Sequence, residues 1–271
     1  LKQAGASLKV DLIIAPSVDE DIGGFINTGF LLKKGIITGD MCLNADGNAQ
    51  IIRATTGGFR MEVTTYGKSV HVCAAREGKN AATNMARFLL ELKKLSDELG
   101  KERSKIKMRP KMDRSVISPT IVRTHDNPYS IPGECTTDIF GYCIMEHKPK
   151  EVFNRVKKII DSLKLKDPGF EAECKIHLWY SPALIPESAQ PVKLLKKVVK
   201  EVTNQDPEVV GQPINDSRFF IASGIPTVNY GPSALDFDNR QHGIDERVRI
   251  EDAIRVTKVY ALAAMDYLDY E

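Results

Sequence analysis

Three adjacent carboxylates, Asp19, Glu20 and Asp21, run into the glycine pair Gly23-Gly24 just after the apolar run Val10–Ala15. Carboxylates this close repel one another unless a cation lies among them; alternatively, they open a helix whose dipole favours negative charge. Asp46 lies in Asn44-Ala45-Asp46-Gly47 at the end of a short apolar stretch, where a plain Asp-Gly turn is the competing explanation. His242 lies beyond Gly231-Pro232, in Arg240-Gln241-His242-Gly243-Ile244-Asp245-Glu246, and taken alone reads as a surface histidine. All three sites fall at the same expected sheet edge, beyond the carboxyl ends of strands, where open α/β sheets bind ligands. Oxygen and imidazole donors converging there suit Zn²⁺, Mn²⁺ or Co²⁺ far better than Ca²⁺.

The elements that would position these groups follow from hydrophobic periodicity. Residues 10–15 are nearly continuously apolar, as a strand buried on both faces would be. Residues 22–34 read as a helix and Met41–Ala45 as a second short strand, together a β-α-β fragment of an α/β sheet. From Thr55 the pattern changes. Strands are expected at 58–66, 115–124, 134–145 and 172–180, with helices at 79–99 and 149–163. Phe59, Met61, Val63 and Thr65 alternate onto one strand face, and Ala82, Met85, Phe88, Leu89 and Leu92 make one helical stripe. This β-α-β-β-α-β order is that of a ferredoxin-like sandwich. The larger domain resumes at Ser181. There Leu194, Leu195, Val198 and Val202 form the stripe of a helix opened by Pro191, and a short strand surrounds Val228. A last helix at 251–269 turns Ile254, Val256, Val259, Tyr260 and Ala263 inward. The division is thus 1–56 and 181–271 for an α/β domain, and 57–180 for the insert.

Bulk properties exclude several classes. The 38 basic and 36 acidic groups give a net charge of +2, no footprint for nucleic acid. The basic run Lys101–Lys111 reads as a solvated loop. No window approaches the ~18 apolar residues that would span a bilayer. Five cysteines without a C-x-x-C pair suggest free thiols in a reducing cytoplasm. His125, His147 and His177 stand without matching partners and read as structural.

Taken in order, the motifs resemble the dinuclear zinc peptidase and deacylase family of acetylornithine deacetylase, succinyl-diaminopimelate desuccinylase, aminoacylase and glutamate carboxypeptidase. Asp19-Glu20-Asp21-Ile22-Gly23-Gly24 resembles that family's Asp-Glu-Glu-x-Gly-Gly. Gly67-Lys68-Ser69-Val70-His71 with Gly78-Lys79-Asn80-Ala81, and Ile131-Pro132-Gly133, resemble blocks of its inserted domain. Asp216-Ser217-Arg218, Gly224-Ile225-Pro226, Tyr230-Gly231-Pro232 and His242 resemble its C-terminal set. The resemblance implies a zinc-exopeptidase-like α/β catalytic domain carrying a dimerisation domain. It makes Glu20 the general base, with Asp21 and His242 ligands of one metal and Asp46 of the other. His71 would reach into the partner subunit's site to stabilise the oxyanion, while Arg218 and Asn80 would bind substrate, Arg218 through a carboxylate. Two Zn²⁺, with Co²⁺ an alternative, are implied.

Two departures bear on these roles. The family's first metal-binding block, a His-x-Asp and a later bridging Asp, would precede residue 1, so the chain by itself is expected to hold metal poorly and to be inactive. Asp21 stands where the family has Glu, one methylene longer, and Phe140 replaces the arginine of an Asp-x-Arg motif. The expected function is metal-dependent cleavage of the amide bond of an N-acyl amino acid. A carboxypeptidase or dipeptidase of the same family, and a non-catalytic dimerising fragment, are the alternatives.

Overall fold

The computed structural model describes residues 9–124 and 127–268. In chain order the strands are β1 Cys42–Asn44, β2 Ile51–Thr55, β3 Gly57–Tyr66, β4 Val116–Arg123, β5 Glu134–Cys143, β6 Glu171–Tyr180, β7 Ala183–Leu184, β8 Val209–Gln212 and β9 Thr227–Asn229. The helices are α1 Thr28–Lys33, α2 Ala81–Leu99, α3 Pro149–Lys166, α4 Gln190–Thr203, α5 Ser217–Ala222 and α6 Ile250–Leu268, with 3₁₀ turns at Glu20–Ile22 and Val72–Glu77. The chain divides into two compact units: one takes the chain up to Thr55, Lys107–Arg109 and the chain from Pro182; the other takes Thr56–Ile106 and Pro110–Ser181.

The second unit is the ferredoxin-like sandwich, with an antiparallel sheet in the order β4-β5-β3-β6. Its cause is legible in β3, where Phe59, Met61, Val63 and Thr65 are each 0% exposed and form the inner face. They pack against Met85, Phe88 and Leu92 of α2 and Val156 and Ile160 of α3. Burying each such apolar side chain stabilises by roughly 1.5–3 kcal/mol. Phe59 also meets Phe153 and Trp179 edge-on at 6.0 Å. Asn80 starts α2 by accepting from the N–H groups of Ala82 and Thr83 at 2.9 and 3.2 Å. Pro149 starts α3, with Lys164 and Lys166 in its last turn.

The first unit is a mixed sheet, β1-β9-β2-β7, with β8 parallel to β2. β1 runs parallel to β9, and α4 and α6 pack Val192, Leu195, Val198, Val256 and Val259 against Ile51, Val228 and Tyr230. At the hub, β2 holds Ile51 and Ile52 at 0% and 1% exposure.

Several expectations need correcting. Residues 10–15 are not a buried strand: Val10, Ile13 and Ile14 are 57%, 56% and 80% exposed, and the segment pairs with nothing among the described residues. A strand is buried only when neighbours flank it, and apolar composition alone cannot provide them. The helix expected over 22–34 shrinks to Thr28–Lys33 because Gly23 and Gly24 adopt positive φ. Ile254 is 50% exposed rather than inward. The loop 101–111 is not wholly solvated, since Lys107 O accepts from Gly211 N at 2.8 Å and Arg109 N donates to Gly211 O at 3.0 Å.

Candidate active site

The acidic turn, the loop after β1, the end of β8 and α5 converge in the first unit. Asp19 (φ 73°), Gly23 (φ 117°) and Gly24 (φ 65°) fold the motif back on itself. Gly24 N donates to Asp19 O at 2.7 Å, and Ile26 N donates to Asp19 Oδ2 at 3.2 Å. Gly24 is required by contact as well as by φ, for a Cβ there would lie 2.0 Å from Asp216 Oδ1.

Asp46 sits in a tight turn in which its own N–H donates to Asn44 Oδ1 at 3.1 Å. Its Oδ2 accepts from Gln212 Nε2 at 3.2 Å and Asn215 Nδ2 at 2.8 Å. Asn215 Oδ1 in turn accepts from Ser217 N at 3.1 Å. Ser217 Oγ accepts from Asn44 Nδ2 at 3.1 Å and donates to Asn229 Oδ1. One polar network thus fixes the carboxylate of Asp46 between β1, β8, β9 and α5. Close backbone packing helps, since a Cβ on Gly231 would lie 2.1 Å from Gly47 O.

Asp46, Asp216 and Asp21 all lie close enough to Glu20 to oppose its ionisation. Burial, then these three charges, push the Glu20 carboxyl up to about 7, with Arg218 pulling the other way. Burial holds the Asp216 carboxyl above the usual range, with Thr28 and Arg218 pulling the other way; Arg218 Nη1 lies 3.9 Å from its Oδ1, an ion-pair distance. Carboxylates crowded this closely, with Arg218 the cation beside them, are what a divalent ion would relieve, so the donor chemistry here fits a metal.

The other expected residues are placed differently. His242 lies on an exposed loop at φ 58°, its N–H donating to Glu246 Oε2 at 3.1 Å. Asp21, Asp46 and His242 do not form a group with ligand atoms within 4.8 Å; among the described residues, Glu62, Asp138 and His177 do. Arg218 was expected to meet a substrate carboxylate. Instead it is 4% exposed, donates to Asn215 O at 2.9 Å and to Gly23 O, and stacks on Phe219 and Phe25. Its guanidinium is spent on tying the acidic turn to α5 and lies 3.9 Å from Asp216 Oδ1 in a local ion pair. Asn80, expected to bind substrate, commits its acceptor oxygen to capping α2.

His71 belongs to the inserted unit and is exposed. Its Nδ1 accepts from Cys73 N at 3.2 Å, which assigns the ring proton to Nε2 and leaves an N–H donor facing outward. His147 is held at both nitrogens, by Ser115 Oγ at 2.7 Å and Glu102 Oε2 at 2.9 Å, a structural role. His125 lies outside the described residues. All five cysteines are free.

Reading from sequence missed Gln212, Asn215 and Arg109. Asn215 had one signal, its place just past a strand end beside Asp216. Arg109 had none: it looks like any charge in a basic loop. Pairing of its backbone with Gly211 sets it beside Asp46, half-buried, with no hydrogen-bond or ion-pair partner among the described residues.

Comparison with known proteins agrees with this architecture. Residues 53–168 match the peptidase dimerisation domain. The chain is 24% identical over 212 residues to a succinyl-diaminopimelate desuccinylase of Pelagibacter ubique, covering 78% of this chain and 52% of that protein. Among solved structures, human carnosine dipeptidase 1 superposes with a TM-score of 0.73 at 13% identity, over 93% of this chain and 65% of that one. An M20 family metallo-carboxypeptidase from Sulfolobus solfataricus superposes with a TM-score of 0.66 at 17% identity, over 91% and 68%. At these identities the structures establish the fold: an α/β domain of this type with an inserted ferredoxin-like unit. The chain spans about half the length of the curated relatives it matches, 52% and 56%. No described helix is long and apolar enough to cross a membrane.

Proposed function

We propose that this chain is part of a metal-dependent amidohydrolase acting on N-acyl amino acids or short peptides, as the names of its relatives suggest. The observation that carries the reading is the convergence of Glu20, Asp46 and Asp216 at one sheet edge, with Asp46 locked by Gln212 and Asn215 and the three carboxylates crowded enough to oppose ionisation of Glu20. Asp21 and Asp46 would hold divalent ions, Zn²⁺ by preference and two per complete site, with His242 joining them from its loop. A bound ion supplies Lewis-acid polarisation of the scissile carbonyl and acidifies water.

Each residue then has a task. Glu20, poised by its surroundings, accepts a proton from the attacking water and returns it to the departing amine. His71 offers its Nε2–H to the developing oxyanion, from the partner subunit of a homodimer formed through the inserted unit. Arg109 takes the carboxylate-binding role first expected of Arg218, since its guanidinium has no hydrogen-bond or ion-pair partner among the described residues and the planar fork fits a carboxylate. Five free thiols suit a cytoplasmic setting.

The test is hydrolysis of N-acetyl-ornithine, succinyl-diaminopimelate and dipeptides, with Zn²⁺ present, by the full-length protein of which this chain is proposed to be part, and the variants below are made in it. Glu20→Ala is expected to lower turnover by ~10²–10⁴ while metal stays bound. Equal turnover by the variant would remove Glu20 from the chemistry, and no hydrolysis of any substrate would favour a dimerising fragment. Mixing Glu20→Ala with His71→Ala chains should restore part of the activity if His71 acts across the dimer.

A further inference from the structure

A second cluster lies in the inserted unit, on the sheet face opposite the helices. Glu62 on β3 and Asp138 on β5 are direct cross-strand partners. On the other side of β3, the register of β6 breaks: Arg60 pairs with Leu178 and Met61 with Ile176, so His177 is the extra residue of a bulge. The bulge brings its imidazole to the same place, and one ligand atom from each of Glu62, Asp138 and His177 lies within 4.8 Å of the others.

A charge ladder is the competing explanation, because Arg60 and Arg123 approach Asp138. They do so at 3.5 and 3.4 Å, well beyond the ~2.7–2.9 Å of a closed charge-assisted hydrogen bond. The side chains of Glu62 and His177 form no hydrogen bond or ion pair with any described residue. Two carboxylates placed directly opposite, one of them 6% exposed, destabilise a sheet unless positive charge lies between them. An ion held at about 2.0–2.2 Å from imidazole nitrogen and carboxylate oxygen needs donors roughly 3–4 Å apart, which small rotamer adjustments here supply. The two arginines would then orient Asp138 from behind, as hydrogen-bonded partners of a ligating carboxylate do.

We propose that Glu62, Asp138 and His177 form a transition-metal site of the inserted unit, separate from the carboxylate cluster at Glu20. One nitrogen and two carboxylate oxygens, with positions left for water, suit Zn²⁺, Mn²⁺ or Co²⁺. His177, which the sequence marks as structural, becomes a ligand.

The test is calorimetric titration of the full chain with Zn²⁺ after chelator treatment, comparing wild type, Glu62→Gln/His177→Ala and Asp21→Asn/Asp46→Asn. The expected result is an ion retained by Asp21→Asn/Asp46→Asn and weakened at least tenfold by Glu62→Gln/His177→Ala, with unchanged circular dichroism. Histidine ¹⁵N chemical shifts provide a second readout: the His177 ring should move on zinc addition in the Asp21→Asn/Asp46→Asn background. Equal zinc binding by wild type and Glu62→Gln/His177→Ala overturns the proposal, as does loss of all binding in Asp21→Asn/Asp46→Asn. Failure of the amidohydrolase reading would show elsewhere, as equal turnover of the full-length protein and its Glu20→Ala variant.

Discussion

Replacing Asn215 by alanine removes two side-chain hydrogen bonds at one stroke: that from Nδ2 to Asp46 Oδ2 at 2.8 Å and that from Ser217 N to Oδ1 at 3.1 Å. The first involves a carboxylate and contributes ~1.5–3 kcal/mol, the second ~0.5–1.5 kcal/mol, and Ser217 N is left buried without a partner. Asp46 is exposed and keeps Gln212 as a donor, so it recovers part of its loss through water. The sum is about 2–3 kcal/mol for the first unit. With a urea slope of ~1–3 kcal/mol per M, the unfolding midpoint followed by far-ultraviolet circular dichroism should fall by about 1 M or more. Hydrogen exchange locates the effect, which should appear as faster exchange in β1 and β8. Asn215→Asp is the sharper probe, because it sets a second carboxylate where Nδ2 met Asp46. It should be less stable than Asn215→Ala at neutral pH and recover in acid as the pair takes up a proton. A midpoint shift below ~0.3 M in Asn215→Ala, or Asn215→Asp no worse than alanine at neutral pH, would refute the assignment of Asn215 as the anchor of Asp46.

Other consequences can be checked with single variants. In metal-stripped protein, Glu20 is raised in the folded state from 4.5 to about 7, so its contribution favours folding in acid and is lost as pH rises from about 4.5 to about 7. Melting temperature should decline across that window, and Glu20→Gln should flatten the decline; an unchanged slope counts against the crowded site. Gly24→Ala places a methyl group 2.0 Å from Asp216 Oδ1 in a φ 65° turn, and should cost more than the ~1 kcal/mol typical of a point mutation. Denaturation of that variant no different from wild type would show that the turn packs elsewhere. In the full-length protein, Arg109→Ala should raise KM at least tenfold for substrates with a free carboxylate and leave their methyl esters unaffected. An equal effect on acid and ester would make Arg109 a mere counter-charge to Asp46.

The inserted unit was legible because its strands are long, alternate cleanly and bury one face against amphipathic helices. Phe59, Met61, Val63 and Thr65 announce β3 without any tertiary knowledge. The first unit was harder for physical reasons. β2 is only Ile51–Thr55, and it shares the point where the pattern changes, so it read as a boundary rather than as the central strand. β8, Val209-Val210-Gly211-Gln212, carries a glycine and a buried glutamine and stands between Pro207 and Pro213, so it offers no alternation. Val10–Ala15 misled in the opposite direction, for an apolar run states a preference for burial without naming what will cover it. At the candidate site, Glu20 and Asp46 were readable as types and positions. Arg218 was readable as a type only, since whether a guanidinium is open to a ligand or spent on backbone carbonyls is decided by contacts nearly 200 positions apart in the chain, as with Gly23.

The pairing of β2 also dictates an order of assembly during synthesis. Its partners β7, β8 and β9 all lie at or beyond Ala183, whereas the ferredoxin-like unit is complete once Ser181 has been made. A nascent chain therefore carries Ile51 and Ile52 without their sheet for the whole time the insert takes to be translated. Domains fold as units while the ribosome works at about 5–20 residues per second, so that interval is on the order of ten seconds. The insert would shelter Trp179 long before the strand in front of it finds its neighbours, and a chaperone that reads short apolar segments would have its opportunity at residues 51–55.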